Sequence, residues 1–236
     1  MSASCGRANP SAERISGRET KSLSQRFSLF ITFEGPEGGG KTTQQEQLRR
    51  YLEEKGLAPL CLREPGATIV SERIRALLLD GSVGALNSRT EALLFCAARA
   101  ELVAQVIRPA LQNGRIVLCD RYADSTLAYQ GYGQGLPLPE LRVVNDFATG
   151  GLKPHLTFCL DVPVELGLGR KRAADEGNRM EAMAIAFHER VRRGFLDLVA
   201  AEPQRWRLID ATQSLEAVAA AIRCYVDEVL EEALRQ

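Results

Sequence analysis

From Leu29 onward, short apolar runs alternate with longer stretches in which apolar positions recur every three or four residues. The runs Leu29–Phe33, Ala58–Leu62, Arg115–Cys119, Leu156–Leu160 and Trp206–Ile209 have the length of strands rather than helices. Helical patterns begin between and after them at Lys41, Val70, Ser88, Glu140, Arg179 and Leu215. Ser88-Arg89-Thr90-Glu91 has the form of a capping box at the start of the third. Such alternation predicts βαβ units around a mostly parallel sheet of about five strands, flanked by helices on both faces. Neither an internal repeat nor a compositional break divides the pattern. A single α/β domain over residues 27–236 is expected.

The first 26 residues do not share this pattern. They are rich in Ser, Gly and Arg, with Arg7, Arg14, Arg18, Lys21 and Arg26 against Glu13 and Glu19. A transit segment would show an amphipathic stripe and a secretory leader an apolar core, and both are lacking. A disordered extension is expected. No apolar stretch approaches the roughly 20 residues of a membrane span. Over the whole chain 30 basic and 30 acidic residues cancel, so any site for a polyanion must be local, and no nucleic-acid partner is expected. The six cysteines are scattered without C-x-x-C spacing, which points to free thiols in a reducing compartment rather than a disulfide framework. His155 and His188 have no plausible metal-ligand neighbour in the sequence, and both are read as structural.

Chemistry enters at Gly35-Pro36-Glu37-Gly38-Gly39-Gly40-Lys41-Thr42, which fits the phosphate-binding loop G-x-x-x-x-G-K-[ST]. It follows a strand pattern and opens a helical one with Thr42 and Thr43, so backbone N–H groups and the helix N-terminus would face phosphate oxygens. Lys41 is placed to meet the outer phosphates, and the Thr42 hydroxyl to hold Mg²⁺. The second candidate is Asp120-Arg121, at the end of the run Ile116-Val117-Leu118-Cys119. In open parallel sheets ligands bind beyond the carboxyl ends of the strands. There an aspartate can reach the metal shell and an arginine can clamp a phosphate. An ordinary surface ion pair is the alternative.

With these residues in place the chain resembles the thymidylate kinase family, in its bacterial type. The segments that carry the resemblance are Phe33-Glu34-Gly35-Pro36-Glu37-Gly38, Arg63-Glu64-Pro65-Gly66, Glu91 through Arg99, Asp120-Arg121-Tyr122, and Ser125-Thr126-Leu127-Ala128-Tyr129-Gln130. Leu160-Asp161-Val162-Pro163 and Ile209-Asp210-Ala211 extend it to the last strand. The resemblance implies a P-loop kinase fold with a short lid at about residues 165–180, and transfer of a phosphoryl group from ATP, with Mg²⁺, to thymidine 5′-monophosphate (dTMP). The alternatives are another nucleoside-monophosphate or deoxynucleoside kinase, or a nucleotide-dependent switch. For a guanine-nucleotide switch the chain lacks any Asn-Lys pair.

Roles follow by the same resemblance. Phe95 and Arg99 lie four apart on one predicted helix and so share a face. They would stack on thymine and hydrogen-bond its carbonyl edge; a core Phe and a solvated Arg are the plainer alternative. Ser125, Thr126, Tyr129 and Gln130 belong to the same acceptor site, Thr126 approaching the base and Tyr129 crowding the sugar 2′ position. Glu37, a carboxylate inside a phosphate cradle, would accept from the 3′-hydroxyl. Arg63 would meet the acceptor phosphate or else form a structural salt bridge, and Pro65 is a candidate for a tight turn. The basic stretch Arg170-Lys171-Arg172 resembles a lid that supplies the transition-state arginine, with Arg172 preferred over Arg170 and a solvated charge cluster as the alternative. A cytoplasmic homodimer is the implied setting.

Overall fold

The computed structural model describes residues 28–173 and 184–235. The tail expected over residues 1–26, and the stretch Asp175 to Arg179 expected in the lid and at a helix start, lie outside these residues. The strands β1 (Leu29–Glu34), β2 (Leu60–Arg63), β3 (Ile116–Asp120), β4 (Leu156–Asp161) and β5 (Trp206–Asp210) form one sheet in the order β2-β3-β1-β4-β5. Every pairing among them is parallel, so the sheet is uniformly rather than mostly parallel. The helices are α1 (Lys41–Glu54), α2 (Ile69–Leu79), α3 (Ser88–Leu102), α4 (Arg108–Gln112), α5 (Ala123–Thr126), α6 (Leu138–Thr149), α7 (Val164–Ala173), α8 (Ile185–Ala201) and α9 (Leu215–Arg235). Wider π-helical turns join α3 to α4 at Val103–Ile107 and continue α5 at Leu127–Gly133.

Successive strand residues point to opposite faces, and here both faces are covered. Leu29, Ile31 and Phe33 pack with Leu48 and Leu52 of α1 and with Val218, Ile222 and Val226 of α9. Phe30, between them in β1, packs on the other face with Leu102, Ile107 and Tyr122. Glu34 shares the parity of Phe30, so its side chain enters the layer of α5. A third apolar group joins Tyr129 to Phe187 and Phe195 of α8, beneath the same layer. Cys119 and Cys159 are fully buried thiols within this sheet. His155 is structural as expected, its Nδ1 accepting from the Phe30 N–H at 2.9 Å.

Some boundaries differ from the sequence reading. β2 starts at Leu60 rather than Ala58, because Pro59 has no N–H to enter the ladder. α3 is capped by Asn87, whose side chain accepts from the Arg89 N–H, so Ser88 is its first residue and not the cap of a capping box. Glu91 is drawn elsewhere, its Oε1 accepting from Gln130 and Gln134 at 2.8 and 2.7 Å. α2 begins at Ile69, with the Thr68 side chain accepting from Ser71. α6 begins at Leu138 rather than Glu140.

The loop after β1 is locked against α7. Gly38 has a φ of +70°, and a Cβ there would lie 2.0 Å from the Gly167 carbonyl oxygen. A Cβ on Gly167 would in turn lie 2.1 Å from the Glu37 carbonyl oxygen. Two glycines therefore let the loop and helix touch backbone to backbone. Gly167→Ala should force them apart and cost about 1–3 kcal/mol in chemical denaturation, with a parallel fall in turnover. Gly169→Ala is the control, since its Cβ meets nothing within 4 Å. Equal behaviour of the two variants would contradict a tight contact.

Candidate active site

The carboxyl ends of β1, β2 and β3 open into a cavity of about 910 Å³. Glu37 and the backbone from Gly38 to Thr43 form one side of it, while Gly35 and Pro36 lie behind and offer their carbonyls to Lys41. Gly40, with a φ of 84°, caps α1 in the left-handed conformation and turns its first free N–H groups toward the cavity. Lys41 is buried, its Nζ donating to the Gly35 and Pro36 oxygens at 3.1 and 2.8 Å. Burial, reinforced by the charge of Arg121, lowers its ammonium to about 8. An anionic ligand would reverse that shift.

Across from the loop, Arg121 emerges from the end of β3. Its Nη2 donates to Glu37 Oε1 at 2.8 Å and to the Tyr129 hydroxyl at 3.0 Å, and Tyr129 itself donates to Glu37 at 2.8 Å. The guanidinium also lies over the Tyr129 ring, 4.8 Å from its centroid. Burial alone would raise the Glu37 carboxyl, but Arg121 and then Lys41 hold it down at about 2. Glu37 is therefore an ionised acceptor despite its place in a phosphate cradle. Asp120, beside Arg121, accepts from the Thr42 hydroxyl at 2.5 Å.

The third wall comes from α3 and the segment after α5. Phe95 is half-buried and Arg99 buried, and both line the cavity with Ser125, Thr126, Tyr129 and Gln130. Arg99 is not a solvated arginine. Its Nε donates to Glu64 at 2.8 Å, Nη1 to Thr126 at 3.1 Å and Asn145 at 2.7 Å, and Nη2 to the Tyr122 carbonyl at 3.1 Å. A guanidinium has five N–H bonds, so this network leaves little freedom beyond the edge that faces the cavity. Burial pushes Glu64 up to about 7 against the pull of Arg99.

The remaining cations divide between wall and surface. Arg63 lines the cavity and also forms an exposed salt bridge to Glu72 at 3.1 Å, so both readings of it have a structural counterpart. Arg170 lines the cavity and donates to the Gly38 carbonyl at 3.4 Å and the Ala211 carbonyl at 3.0 Å. Lys171 lines it as well, whereas Arg172 is exposed and outside the lining.

The model of the family described as thymidylate kinase matches residues 33–222. The chain belongs to the thymidylate kinase family. It is 52% identical over 210 residues to a thymidylate kinase of Herpetosiphon aurantiacus, covering 78% of this chain and 89% of the relative. It is 54% identical over 210 residues to one from Thermomicrobium roseum, with 89% and 99% covered. A crystal structure of thymidylate kinase from Ehrlichia chaffeensis superimposes with a TM-score of 0.71 at 34% identity, covering 85% of this chain and 99% of that one.

Within this thymidylate kinase fold the cavity also includes residues to which the sequence assigned no role. Arg75, on α2, lines it and donates to the Pro65 carbonyl at 3.0 Å, and Glu64 anchors Arg99. Gln213, Ser214 and Leu215 close the loop side from the turn after β5. Arg75 carries no local signal, being one of two arginines on α2 outside any motif. Glu64 lies inside the segment Arg63-Glu64-Pro65-Gly66, yet its partner is 35 residues away. The Thr42 hydroxyl and Asp120 carboxylate form a hard oxygen pair beside the phosphate loop, which fits Mg²⁺ held chiefly by phosphates and water.

One buried carboxyl has a measurable signature. Burial, and then the charge of Asp124, raise Glu34 from 4.5 to about 8. The folded chain thus holds a proton that the unfolded chain releases, so this contribution to stability is complete below the unfolded value and is lost as pH rises through the folded one. Glu34→Gln should flatten the decline in melting temperature between about pH 5 and about pH 8.5 relative to wild type. Parallel melting curves for the two proteins would contradict the assignment.

Proposed function

We propose that this chain transfers the γ-phosphoryl group of ATP to dTMP, giving thymidine 5′-diphosphate for dTTP synthesis. The observation that carries this reading is one cavity shared by two recognition surfaces. Glu37 to Thr43 with Lys41 form the donor half, and Phe95, Arg99, Thr126, Tyr129 and Gln130 line the half for the nucleoside. Arg121 and Glu37 stand between them.

The acceptor is already an anionic phosphate, with a second pKa near 6, so a strong base is not needed. Catalysis then rests on alignment and on positive charge around the transferring group. Lys41 neutralises the donor phosphates, and Arg121, Arg63 and Arg75 gather the acceptor phosphate. Arg170 supplies charge from α7, close to the Gly38 carbonyl; Arg172 would have to turn inward to do the same. Thr42 and Asp120 are the residues that would hold Mg²⁺, which would supply charge to offset the donor phosphates. Glu37 accepts from the sugar 3′-hydroxyl, and Phe95 stacks on the base.

The finer setting is a cytoplasmic homodimer. Among the described residues the cysteines are free, which suits a reducing compartment. The packed helices α2, α3 and α6 leave Ile69, Leu93, Val143 and Phe147 exposed, Phe147 at 90%, and a second copy would cover this apolar face. No helix among the described residues is long and apolar enough to cross a membrane.

A coupled assay with ATP and a panel of nucleoside monophosphates tests the reading. Rapid turnover is expected with dTMP, and preference for another monophosphate would overturn the substrate assignment. Lys41→Ala should lower kcat by about two orders of magnitude, roughly 3 kcal/mol of transition-state stabilisation. In the same assay Arg170→Ala should lose more kcat than Arg172→Ala. Near-normal turnover by folded Lys41→Ala would end the phosphoryl-transfer assignment.

A further inference from the structure

Arg121 has a φ of 71°, in the left-handed region that a residue with a Cβ seldom adopts. Surrounding contacts must hold it there. The Arg121 N–H donates to the Phe33 carbonyl at 2.9 Å, extending the ladder between β1 and β3. The next N–H, from Tyr122, donates to Glu34 Oε1 at 2.7 Å. Glu34 Oε2 accepts from the Ser125 hydroxyl at 2.6 Å, and that hydroxyl oxygen accepts from Arg121 Nη1 at 3.3 Å. One carboxyl group therefore braces the turn on the backbone side and, through Ser125, on the side-chain side.

Glu34 itself is fully buried and is not among the residues that line the cavity. It cannot touch a nucleotide there. A buried carboxyl group is costly to place in a sheet layer, and an apolar side chain would fill that volume without electrostatic penalty. The two hydrogen bonds that Glu34 accepts come from Tyr122, next to Arg121 in the chain, and from Ser125, which accepts from the Arg121 guanidinium.

We propose that Glu34 is a positioning residue for the phosphoryl transfer, holding the turn Asp120–Tyr122 so that the Arg121 guanidinium meets the acceptor phosphate. The inference rests on the dTMP kinase reading above. Glu34 acts only through Arg121 and Ser125, so its loss should matter little once Arg121 is gone.

A double-mutant cycle on the full chain makes that dependence visible. Glu34→Ala, Glu34→Gln, Arg121→Ala and Glu34→Ala/Arg121→Ala are compared by steady-state kinetics with dTMP and ATP varied separately. Glu34→Ala should lower kcat/KM for dTMP by about 30-fold while KM for ATP stays within about 2-fold. Glu34→Gln should recover most of the loss, because its amide oxygen can accept from the Tyr122 N–H and its amide group can donate to Ser125. The double variant should be no worse than Arg121→Ala alone. If the two losses multiply, or if KM for ATP rises as much as KM for dTMP, Glu34 is a fold residue and the inference is wrong. Should Glu34→Ala fail to fold, Ser125→Ala replaces it in the cycle, with the same non-additivity expected and the same overturning result. A wild-type chain inactive on dTMP would overturn the kinase reading and this inference together; an active wild type with independent losses overturns the inference alone.

Discussion

The ion pair between Arg121 and Glu37 is the constraint on which the site depends, because it ties the phosphate loop after β1 to the turn after β3 at 2.8 Å. Neither partner is indifferent to the other. Arg121 keeps Glu37 ionised against its burial, and Glu37 gives Arg121 a fixed direction inside a cavity where a free guanidinium could point anywhere. Tyr129 closes the triangle from the segment after α5, so the connections that leave β1 and β3 at the same edge of the sheet meet at one point. A parallel sheet makes this possible, since every strand ends its β-structure on the same edge.

Charge follows the same local logic. The chain is neutral overall, yet Lys41, Arg63, Arg75, Arg121, Arg170 and Lys171 all line one cavity. Glu37, Glu64 and Asp120 sit among them and are held by short contacts to Arg121, Arg99 and Thr42 respectively. The lining stays positive because its cations outnumber these three groups, while Glu37 and Glu64 each orient one arginine. A triphosphate and a monophosphate could then be held without the protein carrying a net basic charge, which would attract unrelated polyanions.

Legibility in the sequence tracked the range of the interaction involved. The sheet was readable because strands buried on both faces are continuous apolar runs, and the phosphate loop because its geometry is set by consecutive residues. Helices shorter than two turns were not. α4, α5 and the π-helical stretch Leu127–Gly133 span too few residues, or too wide a turn, to show a 3.6-residue period. α7 also escaped notice, since its basic end and glycines hide any apolar stripe. In the site, Lys41 could be placed from the loop pattern and Asp120 from its strand end beside that loop. The buried network of Arg99 could not, as its partners at Glu64, Tyr122, Thr126 and Asn145 come from four distant points of the chain. Glu34 was visible as part of a motif, but its work on the far side of β3 depends on sheet register and strand parity.

The central claim is that Arg121 stands at the junction of a donor half and a nucleoside half of one cavity. A crystal structure of the full chain with dTMP and a non-hydrolysable ATP analogue tests it most directly. The account requires the triphosphate on the loop Gly35–Thr42, thymine against Phe95 and Arg99, and the dTMP phosphate within hydrogen-bond distance of the Arg121 guanidinium. Thymine bound away from Phe95, or a dTMP phosphate that leaves Arg121 paired only with Glu37, would contradict it.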